Sequence, residues 1–460
     1  MRAVWAALCV LPPLLWPIAA LACALPASII MTLPTGYYMG GAAAVVALTA
    51  MIGAMAHRLP GMRAHLMGER PVLVPVVVSS YLAFLVFLGL ILVGFFGPDD
   101  PMHNLLTLVF WTGVWVALPL ASLVFGNLWR AVNPWAGPVR IARILLGRTG
   151  GVGLARLGHW PAVLGYLGFA WFEIVSLSPD DPGVLARMAL GYWAVIFVLA
   201  VLEGEAWLAN GEFLTVYFGF IAKIAPFWLE IDGRRARLFA GWPGAQVLRM
   251  AALSPSAVAF ITVVLAGLTF DGLHKTFFWL GLIGENPLEF TGRSAVMGVN
   301  TAGLLGVWAL TAGAVLGALA LGRRIAGHRG AFWREAGPAM LAFLAIAAGY
   351  HGAHYLTTLL TSGQYTLAAL NDPLFRGDEL LGLPPFYVSF GFLADRGAMV
   401  AVWNAQFAAI LGAHILAVVL ALHLSRRMGP AVAWVHVPIT VLMVGYTVLG
   451  LWLLASPVGA

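Results

Sequence analysis

A chain of 460 residues in which 61% are hydrophobic and only 10% charged, with a mean hydropathy of +0.92, cannot bury its apolar surface in a water-soluble core; soluble domains carry about 25% charged residues. The net charge of +6 would suit a nucleic-acid binder, but the basic residues stand in short loops between apolar runs, so no nucleic-acid partner is expected. The pattern predicts an all-α fold, a polytopic transmembrane helical bundle of about ten spanning helices whose first partner is the lipid bilayer.

Residues 1–22 read as a signal segment: Arg2, an apolar run, then Ala20-Leu21-Ala22 as a cleavage pattern. An uncleaved first helix is the alternative, against which Pro12-Pro13 argues. Residues 23–460 then form a single transmembrane helical domain. The two cysteines, Cys9 and Cys23, lie at this first segment, so no disulfide framework or thiolate metal site is expected.

Ten further runs are near the span length: 34–56, 72–97, 104–126, 160–178, 184–203, 252–273, 298–322, 338–364, 398–424 and 432–456. Nineteen Lys and Arg residues fall in alternate loops, from Arg58, Arg63 and Arg70 to Arg426 and Arg427. The other side has only Lys275, Arg293, Arg376 and Arg396, with Arg187 near a helix end. The crowded face is therefore expected in the cytoplasm of a bacterial inner (plasma) membrane, with both mature termini periplasmic or extracellular. Within the long inner stretch, Phe213 to Leu229 is expected as a re-entrant or interfacial helix. The outer loops 274–299 and 371–397 are long enough to cap an outward-facing cavity.

Ionisable groups at membrane depth are costly and mark function. His351 and His354 share a helical face by their spacing of three. His351 lies about 20 Å from the inner end of its run, by a rise of about 1.5 Å per residue. Asp271 and His274 repeat the spacing, and Glu173, Asn404, Gln364, Asn371 and Asp372 reach similar depth. The expectation is an outward-facing site with His351, His354, His274 and Asp271 as ligands of a divalent metal (Zn, Mn, Fe or Co) and Glu173 and Asp271 as catalytic carboxylates. The bland alternative is a set of structural hydrogen bonds between helices. Haem held by His351 and His274, or copper, is the other cofactor the residues allow. The inner set, Glu203, Glu205, Asn210, Glu212, His414, His423 and His436 with Arg130 and Asn133, is expected to snorkel or pair near water. Gly151-Val152-Gly153 lacks the context of a phosphate loop.

The chain resembles a family of bacterial integral membrane fenitrothion hydrolases. The resemblance rests on Gly126-Asn127-Leu128-Trp129-Arg130 with Asn133-Pro134-Trp135, on Thr269-Phe270-Asp271-Gly272, and on Tyr350 through His351, His354, Tyr355, Gly363-Gln364 and Asn371-Asp372-Pro373 to Gly382. Asn371 departs from the small hydroxyl residue expected before Asp-Pro. The resemblance implies hydrolysis of a small apolar organophosphate triester and carries no site residues. A redox or metal-handling subunit and a small-molecule transporter are the other classes the polar residues allow. A membrane or periplasmic partner subunit is left open.

Overall fold

The computed structural model describes residues 35–56, 59, 61–289, 292–327, 329–383, 388–428 and 437–459. The signal segment with both cysteines, Arg58 and His436 lie outside them.

The helices are α1 Thr35–Met55, α2 Val76–Phe96 and α3 Leu105–Phe125, then α4 Ala136–Leu145, α5 Trp160–Ile174 and α6 Pro182–Glu203. They continue with α7 Phe213–Ile221, α8 Pro255–Leu273 and α9 Arg293–Ile325. The last are α10 Phe332–His354, α11 Leu356–Asn371, α12 Arg396–Met428 and α13 Val437–Ala455. Among the described residues nine of these, α1, α2, α3, α6, α8, α9, α10, α12 and α13, are long and apolar enough to cross a membrane. Helices are the natural outcome because lipid offers no partner to an open backbone N–H or C=O.

Two predicted spans differ. The run 160–178 yields a helix of 15 residues. At about 1.5 Å per residue that is short of a hydrocarbon core of about 30 Å. The run 338–364 is not one helix. Pro338 sits inside α10, which is divided at Ala342, and Tyr355 then separates it from α11. Proline removes a backbone donor and crowds the preceding turn, which weakens the start of the helix.

The apolar piece expected as one interfacial helix to Leu229 stops at Ile221. Beyond it β2 Phe227–Asp232 and β3 Arg235–Gly241 form a hairpin, and β1 Ala64–Pro71 pairs with β3 to complete a small antiparallel sheet in the order β1-β3-β2. Gly233, at φ 58°, supplies the left-handed turn after Asp232. The register sets Glu230 opposite Arg237 and Glu69 opposite Arg237. Part of the arginine-rich end is therefore a solvated sheet face, with Arg235 3.3 Å from Glu69.

α8 and α10 form the centre of the bundle. From Ser256 to Phe270 every residue of α8 except Ala259 is buried, and Phe343 to Ala348 of α10 are buried in turn. Close approach uses small residues. A Cβ on Gly349 would overlap that of Ala413 on α12. The two most enclosed helices thus carry Asp271, His351 and His354.

Candidate functional site

Three helix ends meet at one level. Glu173 is one residue from the end of α5, Asp271 two from the end of α8, and His354 closes α10. Tyr355, at the joint before α11, faces both carboxylates. His354 Nε2 lies 2.7 Å from Asp271 Oδ2. The Tyr355 hydroxyl is 3.0 Å from Glu173 Oε1 and 3.1 Å from Asp271 Oδ2, and it accepts from Trp115 Nε1 at 3.0 Å. Trp115 comes from a π-helical stretch of α3, Val109–Ala117. There the wider turn re-aims its indole, and such turns recur at functional positions.

The structure therefore brings Glu173, Asp271 and His354 into one hydrogen-bonded chain. His351 is not in it. Its Nδ1 pairs with Tyr217 Oη of α7 at 2.9 Å, while its Nε2 is buried with no partner among the described residues. The ring of Tyr355 packs against both histidines, with centroids 4.7 Å from His351 and 4.8 Å from His354. His274 turns back on its own helix, with Nδ1 2.9 Å from Asp271 O and 3.2 Å from Phe270 O.

These positions bear directly on the metal expectation. Among the described residues no three His, Cys, Asp or Glu side chains are grouped to hold an ion. The direct His354–Asp271 bond leaves no room for one between them, since each donor would sit about 2 Å from the metal. As arranged, the donors form a hydrogen-bond chain.

Gln364, Asn371 and Asp372, expected near the site, hold the outer loop. Gln364 bonds both ways with Ser389, Asn371 with Leu381 and Leu383, and Asp372 accepts from Arg376 N and Gly377 N. At the rim, Arg293 Nη1 donates to Glu173 O and Ser176 O, both at 3.0 Å, closing the end of α5. Asp180 lies in the loop after α5. Burial raises its carboxyl above the ordinary range, against the pull of Arg293 and Lys275.

The inner set divides otherwise than expected. Glu203 accepts from Gly153 N, Leu154 N and Ala155 N, so the Gly151 to Gly153 loop already cradles the chain's own carboxylate. His414 and His423 bond to carbonyls one turn back. Glu212, expected near water, is 0% exposed. It caps α7, accepting from Leu214 N, Thr215 N, Thr215 Oγ1 and Tyr192 Oη. Trp129 and Asn133 donate to the same Thr215 hydroxyl. The Trp129 and Asn133-Pro134-Trp135 segments thus anchor α7, whose Tyr217 then reaches His351.

Sequence reading missed Tyr355, Trp115 and Tyr217 as site residues. Tyr355 adjoins the histidine pair and could have been singled out, but the other two are aromatics in apolar runs and carry no local signal. Gly272 also has a structural reason. A Cβ there would lie 2.7 Å from Tyr350 Oη, and Tyr350 stacks on His354 with ring centres 5.8 Å apart. Gly272→Ala should cost about 1 kcal/mol net, overpacking outweighing the better helix propensity. A lower thermal midpoint would show it, and an unchanged or higher one would contradict it.

No protein-family model, curated protein or solved structure matches the chain.

Proposed function

We propose that this membrane protein is a hydrolase of small apolar esters, with aryl phosphotriesters of the fenitrothion type as the first class to test. The observation that carries the reading is the single chain His354–Asp271–Tyr355–Glu173, assembled from three helix ends. Asp271 holds His354 through Nε2, leaving Nδ1 to take a proton from water. The water oxygen bonds to phosphorus, the P–O(aryl) bond breaks, and the leaving phenolate takes up the proton that His354 removed from the water. The products are the diester and the phenol. An apolar cavity of about 1000 Å³ on another face of α10, lined in part by Ile52, Leu120, Gly349, Gly352 and Ala413, suits a substrate that partitions from lipid. Its lining includes none of Glu173, Asp271 and His354.

Purified protein should release the phenol, and His354→Gln should not. Turnover unaffected by His354→Gln, or none in the wild type with or without added divalent metal, overturns the reading. The same chain favours one other class, proton-coupled transport, because linked carboxylates inside membranes serve as proton relays. Substrate flux into liposomes without turnover would select it.

The orientation that goes with this reading puts the arginine-rich end in the cytoplasm and the site outside. Reporter fusions after Arg324 and after Ala460 should report opposite compartments, and equal signals would contradict that topology.

A further inference from the structure

The Tyr355 hydroxyl has three polar neighbours within 3.1 Å: Trp115 Nε1, Glu173 Oε1 and Asp271 Oδ2. A hydroxyl has one proton and two lone pairs. An indole N–H can only donate, so it occupies one lone pair. The hydroxyl proton can go to only one of the two carboxyl groups. The other then faces the remaining lone pair of Tyr355. If it were ionised, two unshared oxygens would meet at about 3 Å in a buried site, at the cost of an unsatisfied buried acceptor. All three contacts are favourable only when one of the carboxyl groups carries a proton and donates it to Tyr355.

The neighbours decide which one. Asp271 Oδ2 already receives His354 Nε2 at 2.7 Å, as suits an ionised oxygen that only accepts. Glu173 Oε1 has Tyr355. The charged or titratable groups facing the pair from the surrounding elements are His351 and His354 of α10, His274 and the exposed Lys275 just beyond α8, Arg293 at the start of α9, and the hydroxyls of Tyr166 on α5, Tyr217 on α7 and Tyr350 on α10. Arg293 is engaged with backbone carbonyls.

We infer that Glu173 and Asp271 share one proton through Tyr355, resting on Glu173, and that Tyr355 is the relay that passes it to Asp271. In the transfer the Glu173 Oε1–H bond breaks as a new Tyr355 Oη–H bond forms. The original Tyr355 Oη–H bond breaks as Asp271 Oδ2–H forms. One proton moves and no electron is exchanged. The site thereby becomes a one-proton store whose two ends lie on different helices, α5 and α8. This holds whether the site serves hydrolysis or transport, and its test does not read turnover.

The test is infrared spectroscopy of the full chain in lipid at neutral pH. The wild type should show a protonated-carboxyl C=O band that shifts in D₂O. The band should vanish in Glu173→Gln, whose amide can still donate to Tyr355, and shift in Tyr355→Phe. Should Glu173→Gln not fold, wild-type protein carrying ¹³C in the glutamate carboxyl groups answers the same question, because the band must move with that label and not with labelled aspartate. Absence of the band in the wild type, its persistence in a folded Glu173→Gln, or its following the aspartate label would overturn the proposal.

Discussion

Replacing Asp271 by Ala is expected to lower aryl phosphotriester turnover by about 10²–10⁴-fold, the usual contribution of positioned acid–base groups. Two bonds go with one carboxylate. His354 Nε2 loses the partner at 2.7 Å that fixes its ring, and Tyr355 loses the acceptor at 3.1 Å that lies opposite Glu173. Asp271 does not line the apolar cavity, so binding should survive and the loss should appear mainly in kcat. Asp271→Asn keeps an oxygen that can accept from His354 or Tyr355, and it should fold as the wild type does while sharing most of the kinetic loss. The comparison of kcat and KM across wild type, Asp271→Asn and Asp271→Ala, with a thermal melt of each, checks this. Ala at position 271 with turnover within about threefold of wild type would remove the Asp271–His354 pair from the reaction, given the size of effect such groups carry.

Glu212→Gln is expected to destabilise the fold by about 2–4 kcal/mol, at hydrogen bonds to a charged acceptor worth about 1.5–3 kcal/mol each. The carboxylate takes four donors, two on each oxygen: Leu214 N and Tyr192 Oη on Oε1, Thr215 N and Thr215 Oγ1 on Oε2. An amide keeps one accepting oxygen and turns an NH₂ toward the other two donors. The strain falls on the start of α7 and reaches Trp129 and Asn133 through the shared Thr215 hydroxyl. Tyr192→Phe removes only one of the four donors and should have a clearly smaller effect. Unfolding midpoints in detergent for both variants decide it. A Glu212→Gln midpoint equal to the wild type would mean that this carboxylate is not the cap of α7.

Most spans were legible because lipid imposes a local rule. Each crossing needs its own apolar stretch, and its cost is summed along that stretch with little regard to neighbours. Nine of the ten predicted runs overlap helices of spanning length, and two runs, 160–178 and 338–364, depart from their predicted form. The two that differ are those where a bundle neighbour replaces lipid. Arg293, far along the chain, donates to the carbonyls at the end of the short α5, while α10 divides at Ala342 and Tyr355 parts it from α11 in a stretch buried among other helices. The Asp232-Gly233 turn, a local hairpin signal, was hidden by the apolar residues that precede it.

The sequence by itself determined which polar residues lie at the ends of apolar runs, and so brought Glu173, Asp271 and His354 to one level. Depth follows from counting residues along a helix. Tertiary structure decided who bonds to whom, because that depends on the rotation of each helix about its axis and on the order in which helices pack. Rotation sent His351 to Tyr217 and His354 to Asp271, although the two histidines are three residues apart. Packing buried Glu212 at the tip of α7, where a count from the inner loop placed it near water. The Tyr355 hydroxyl acquired its meaning in the same way, only once α3, α5 and α8 had each turned a polar group toward the joint that follows α10.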